Sequence, residues 1–258
     1  MKKYKIILLL INMVLTAVTA GFSQTNLDSI KGRTLYSGSL GITNNGFSII
    51  PSFSFNDPAA IVLLSWKKNR FSVDPEFRIT PTLEKGSILL WFRYHAIEGK
   101  RFSFRVGAHP AVNWFPSTLI QNGVKEDLVR LRRFFAWELL PSYRISSTWN
   151  VSLYYLQGNG LQRSGPQTTH FINLNTTITN IRITHSLRLS VSPAFFYLFL
   201  DGDDGVFFTA SASLGIMDRP FLLQSTINQK LQSSINGTLP FMWNVGIAYT
   251  FKKHLSNN

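Results

Sequence analysis

From residue 33 onward the chain runs as a series of short stretches in which apolar and polar positions alternate. Residues 71–80 show it best. Phe71, Val73, Pro75, Phe77 and Ile79 fall on one parity, and Ser72, Asp74, Glu76, Arg78 and Thr80 fall on the other. Successive side chains of a strand point to opposite faces, so this spacing gives one apolar and one charged face. The same reading predicts strands over 33–43, 46–55, 59–67, 70–80, 87–97, 101–114, 129–145, 149–158, 167–178, 183–200, 205–217, 221–232 and 238–251. Helical periodicity is weak everywhere; Val124 to Arg133 is the one candidate for a short turn of helix.

The links alternate in length. Asn44-Asn45-Gly46, Lys67 to Arg70, Glu98 to Arg101, Ser146 to Thr148 and Asp218 to Pro220 are tight. Thr80 to Gly86, Phe115 to Leu128, Gln157 to Gln167 and Ser233 to Gly237 are longer. Barrels that cross an outer membrane have short turns on one side, longer loops on the other and an even number of strands. The expected fold is therefore all-β, a transmembrane antiparallel β-barrel of about 12 strands, with 14 as the alternative. Gly38, Gly41 and Gly46 mark 33–43 as the segment to discard, because glycine offers a strand no side chain to pack.

The N-terminus places such a barrel. Lys2, Lys3 and Lys5 precede the apolar stretch Ile6 to Val18, which is shorter than the roughly 20 residues of a spanning helix. This is the layout of a cleavable signal peptide over 1–23, cut after Ala20 or Ser23. Residues 24–32 read as a periplasmic lead-in, 33–251 as the barrel and 252–258 as a C-terminal tail. Cysteine is absent, so no disulfide framework and no lipoprotein thioether are expected. The formal charge of +13 loses three lysines with the signal. The arginines sit inside alternating strands instead of in a run, which argues against nucleic acid. Attraction to lipopolysaccharide or anionic lipid at the rims, or a positive lumen, accounts better for the charge. Aromatic residues, 14% of the chain and mostly Phe, suit a lipid face with girdles at both interfaces.

The last segment puts Phe241, Trp243, Val245, Ile247, Tyr249 and Phe251 on one face. It resembles the C-terminal signal read by the barrel-assembly machinery, with Trp243, Tyr249 and Phe251 as its aromatic marks. The whole of 1–251 resembles the small outer-membrane barrel proteins of Bacteroidota-type bacteria. Its landmarks are the Phe22-Ser23-Gln24 end of the signal, Trp91-Phe92-Arg93-Tyr94 and Gly107-Ala108-His109-Pro110. The resemblance implies the cell outer membrane and outer-membrane lipid as surroundings, and brings no known chemistry.

If the apolar parity faces lipid, the other faces the lumen. That set holds Asp74, Glu76, Arg78, Arg93, His95, Arg105, His109, Arg132, Glu138, Arg144 and Arg188. An arginine at the lipid midplane costs about 2–4 kcal/mol, which fixes the direction. Six arginines against three acids leave a positive surplus, and rings of Arg favour anions. The expected role is a passive channel for small anionic or polar solutes, or a structural barrel with a salt-bridged lumen. A surface module acting through 115–128 and 157–167 is the alternative, and a lipid-acting barrel enzyme a weaker one. None of the histidines 95, 109, 170 and 185 has a serine two residues on, and His254, which has Ser256, stands in the expected tail; metal-ligand spacing is absent, and no phosphate loop opens a helix. No catalytic residue, metal or cofactor is expected. Asp201, Asp203 and Asp204 read as a turn. Parity alone would let Arg93→Glu with Arg105→Glu fold normally.

Overall fold

The computed structural model describes residues 33–256 except 49, 51, 52, 122, 123 and 164. The signal peptide, the lead-in and the last two residues lie outside the described residues. Twelve strands follow one another: β1 (Arg33–Thr43), β2 (Ala59–Lys68), β3 (Phe71–Ile79), β4 (Gly86–Glu98), β5 (Phe102–Gln121), β6 (Val124–Arg144), β7 (Trp149–Gly160), β8 (Thr168–Arg182), β9 (Leu187–Leu200), β10 (Asp203–Ile216), β11 (Phe221–Ser233) and β12 (Phe241–Ser256). Each pairs antiparallel with its sequence neighbours, and β1 pairs with β12 to close the barrel. Closure is what a strand structure needs in lipid, because an open edge would leave backbone N–H and C=O groups without partners.

The count of twelve holds, but the discarded segment was the wrong one. Residues 33–43 form a full strand, paired along their length to both β12 and β2. The described residues of segment 46–55 form no strand. It belongs to a long connection over 44–58 that folds back on itself, with the Gly46 amide donating to the Asp57 carbonyl and the Phe55 amide to the Gly46 carbonyl. Its rings turn inward: Phe47 and Phe55 are each 5% exposed, and Phe53 lies 5.1 Å from Phe134. Pro51 has no amide to give a ladder, so a strand here would carry a gap.

Arg33 and Ser256 are paired at one end of the barrel, called here the inner end. Its turns, 69–70, 99–101, 145–148, 183–186 and 217–220, are all short. The outer end carries 44–58, 80–85, 161–167 and 234–240, together with two tight links. One of these is Asp201-Gly202, with φ of 52° and 109°, the paired positive angles that a two-residue hairpin demands. The other joins β5 and β6. The expected loop 115–128 is instead ladder: pairing runs from Phe102↔Tyr143 to Gln121↔Val124, with Thr118 donating to Asp127 at 2.9 Å. A membrane strand needs about 9–11 residues, so this hairpin extends well past the barrel rim. No part of Val124–Arg133 is helical. At the other terminus β12 runs on to Ser256, so most of the expected tail is seam strand.

The outward face is apolar throughout. Phe92, Phe135, Phe195 and Trp243 are 41%, 45%, 55% and 51% exposed. Tyr36, Trp66, Tyr94, Tyr143 and Tyr249, also exposed, gather toward the inner end. Such a belt is a hazard in water and the normal state in a bilayer. Phe195→Arg, near the middle of β9 on this face, should cost about 2–4 kcal/mol of unfolding free energy in lipid vesicles. Ser190→Arg, on the opposite face of the same strand, should leave the denaturant midpoint close to that of the parent.

Candidate lumen site

The centre of the lumen is an ion cluster built across four strands. Glu138 on β6 is fully buried and accepts from Arg93 Nε at 2.8 Å and Arg105 Nε at 3.1 Å. Arg93 Nη1 reaches the other way, to Asp74 Oδ2 at 2.8 Å. Asp74 also accepts from Ser65 Oγ at 2.5 Å and Ser72 Oγ at 3.0 Å. The Tyr154 hydroxyl bonds Glu138 from β7. Register explains how β4 reaches β6: Arg93 pairs with Gly107, and Gly107 with Glu138. A Cβ on Gly107 would lie 3.0 Å from Arg93 Cγ and 3.1 Å from Glu138 Cγ. The glycine leaves the lane along which the guanidinium crosses β5. Buried charges persist only when paired and hydrogen-bonded, as all four of these are.

Trp91 stands above the cluster, with Arg93 Cζ 4.2 Å from its ring and the His109 ring 3.9 Å away. Above that, Trp91, Ala136, Leu156, Phe171, Phe196, Leu198, Phe207 and Ile235 form a buried apolar layer against which Ile50 packs. Connection 44–58 thus covers the outer part of the lumen on this side, above a remaining cavity of about 330 Å3 lined by Ile50, Phe53, Trp91, His109, Tyr154 and Phe171. Lys85 fastens it by an ion pair to Asp57 and a 2.9 Å hydrogen bond to the Phe55 carbonyl.

The opposite side stays open. Ser39, Thr43, Ser190, Ser192, Ser213 and Asn244 help line a cavity of about 460 Å3, and Glu76 and Arg78, 3.0 Å apart, face it from β3. A second cavity of about 260 Å3 shares Ser192, Ser211 and Asn244 with it and ends at Phe47. Small neutral side chains make this cleft, and a search for charges passes over them. Their signal is a run of Ser and Thr on the inward parity of β9 and β10.

The remaining charges stand elsewhere. His95 Nδ1 is 3.6 Å from Glu98, which is also paired with Lys67, near the inner end. Arg132 lies over Phe115, 4.4 Å away, in the outer hairpin. Arg144 is exposed at the inner end, and Arg188 there donates to the carbonyls of Thr184 and His185 at 2.9 and 3.2 Å. These three arginines make no ion pair among the described residues. The lumen midsection is therefore balanced, and the arginine surplus belongs to its two mouths.

Trp243, Tyr249 and Phe251 line the outward face of β12, 51%, 42% and 38% exposed. His170 packs between Tyr155 and Phe199, its Nδ1 2.9 Å from the Tyr155 hydroxyl. It sits near the outer end of β8, while Ser186 lies in an inner turn, so the two do not meet. Asp201 accepts from the amides of Gln167 and Thr168 at 2.9 and 2.7 Å, as a structural turn residue does. No group of metal-ligating side chains occurs among the described residues.

No family model matches the chain, and no curated protein does. Solved structures do. The KdgM porin is similar at 10% identity and a TM-score of 0.50, over 83% of this chain and 99% of its own. An outer-membrane channel from Pseudomonas putida F1 is similar at 11% identity and 0.49, over 88% and 100%. The β domain of the Bordetella autotransporter BrkA is similar at 12% and 0.45, over 85% and 99%. The likeness to the KdgM porin shows the fold alone: this is the transmembrane β-barrel of the outer-membrane type.

Removing one member of a buried charge cluster strands the others. Glu138→Ala should cost about 3–5 kcal/mol, read as a lowered urea midpoint of the heat-modifiable folded form. Arg93→Glu with Arg105→Glu should also destabilise, because it sets two further carboxylates beside Glu138; the parity argument missed that partner. Glu76→Ala, at the wet cleft, should shift the midpoint by less than about 1 kcal/mol.

Proposed function

We propose that the chain is an exported barrel of the outer membrane that passes small polar solutes passively, with a preference for anions. The observation that carries this is the polar cleft beside a half-lumen crowded with long side chains. Twelve strands lie between the filled interior of about 8 and the open channels of 16–18. Here one half of the cross-section is narrowed by the Glu138 cluster, the aromatic layer and connection 44–58. The other half keeps water-sized space along a neutral wall. Such a bore suits solutes of a few heavy atoms, and the ionic cluster serves as its rigid opposite wall.

The anion preference rests on the mouths. Arg144, Arg188 and Lys252 carry the inward parity at the inner end, and basic rings favour negative solutes. Export by the signal, folding through the barrel-assembly machinery at Trp243, Tyr249 and Phe251, and kinship with Bacteroidota-type barrels belong to the same reading. Catalysis is no part of it. The projecting β5–β6 hairpin, with Leu128, Val129 and Leu131 exposed, favours a second role in surface binding.

Planar bilayers loaded with refolded protein should show discrete steps with an anion-selective reversal potential. Phe47→Ala, at the top of the cleft, should raise unitary conductance about twofold or more if pore area sets it. Arg144→Glu with Arg188→Glu should move the reversal potential toward cations. A folded but silent barrel would overturn conduction and leave a structural barrel with a salt-bridged lumen.

A further inference from the structure

Charge along the barrel axis is distributed unevenly. Residues 33–256 hold 22 basic and 12 acidic residues. The midsection has three of each: Arg78, Arg93 and Arg105 against Asp74, Glu76 and Glu138. The outer-end connections and strand ends have seven of each. The inner end has twelve basic residues, with Arg33 counted by its place in β1, against only Glu98 and Asp218. The entire net charge of this span therefore sits at one rim.

Five of the inner cations, Lys68, Lys100, Arg101, Arg219 and Lys253, are exposed on turns or on the outward parity. They stand just beyond the inner aromatic belt, the depth at which lipid headgroups lie. The barrel seam shows the arrangement most clearly. Tyr36 on β1 pairs with Lys253 on one side and Trp66 on the other, and Lys68 is the outward neighbour of Trp66 on β2. Tyr36 and Trp66 are 41% and 40% exposed, and both lysines are exposed. Two ammonium groups thus flank two rings whose faces suit acyl chain and glycerol. Neither lysine has an ion pair among the described residues.

We propose that the inner rim is a docking surface for anionic phospholipid headgroups, centred on the seam residues Tyr36, Trp66, Lys68 and Lys253. The occupant is membrane phospholipid and not lipopolysaccharide, because the end that carries the longer loops is charge-neutral overall. This rests on the barrel spanning a membrane and is independent of whether it conducts, so an electrically silent protein leaves it standing.

The test uses the full chain refolded in mixed micelles holding equal amounts of phosphatidylglycerol and phosphatidylcholine, with retained lipid counted by native mass spectrometry. Each cation near an anionic surface is worth roughly fivefold in partition at moderate salt. The parent should retain phosphatidylglycerol over phosphatidylcholine by on the order of tenfold, and less at high salt. Lys68→Gln with Lys253→Gln should remove most of that preference while heat-modifiable folding persists. Lys125→Gln, Arg130→Gln and Arg133→Gln, at the outer end, should not. Equal loss in the two variants would overturn the proposal, as would a parent without preference. Loss of the preference on adding millimolar inorganic phosphate at constant ionic strength would also overturn it, by showing a site for free anions. If the double variant fails to fold, Lys253→Gln alone decides by the same ratio.

Discussion

The buried carboxylate of Glu138 is the constraint on which the rest of the lumen depends. A fully buried charge cannot remain unpaired, so its position dictates two arginines within hydrogen-bond reach. Arg105 comes from the adjacent strand, a short diagonal away. Arg93 comes from two strands away, and only a residue without a side chain at 107 lets it through. Arg93 then has a guanidinium edge left over, which Asp74 takes. One acid on β6 thereby fixes the relative height of β3, β4, β5 and β6. A one-residue slip of any of them would put a charge on the lipid face.

The same cluster explains why the lumen is lopsided. Charged and aromatic side chains from β3 to β9, with Phe207 of β10, meet each other and the rings of connection 44–58 and narrow that side. β1 and β10 to β12, with Ser190 and Ser192 of β9, supply Ser, Thr, Asn and Gly on the inward parity, which are too short to reach the cluster. A cleft is what remains between a wall of long side chains and a wall of short ones. Its chemistry is neutral because the long side chains have already spent their charges on one another. Any selectivity by charge must then come from the mouths.

Much of this was legible in the alternation, because the period of two is strict wherever one face meets lipid and the other does not. Asp74, Glu76, Arg93, Arg105 and Glu138 could be placed inward on that ground alone. The misreadings fall where the two faces stop differing. In 115–133 the hairpin has left the membrane and both faces are wet, so Lys125, Asp127, Arg130 and Arg133 break the alternation and mimic a helix or loop. The end of β12 fails in the same way at Lys252, Lys253 and His254. Segment 46–55 fails for the opposite reason: Phe47 and Phe55 are buried inside the barrel and Phe53 is half-buried, so its apolar density looks like another strand. Only Pro51 signalled otherwise. The pairing of Arg93 with Glu138 was invisible, since register across two strands is not written in either one.

Charge segregation also bears on how such a barrel stands in its membrane. Twelve basic groups around one rim repel one another across separations comparable to the screening length of about 8 Å at physiological salt. Among the described residues of the rim, Lys67 and His95 are answered, both by Glu98. A compact state with so much charge of one sign at one end is stabilised by whatever supplies the opposite sign there. The midsection cannot, because its acids are consumed by its own arginines. The outer end cannot, because Asp201 and Asp204 are held by local amides and by Tyr197 at the far rim. On the lipid-docking proposal the counter-charge comes from headgroups, the anionic neighbours that a membrane offers at the level of an aromatic belt.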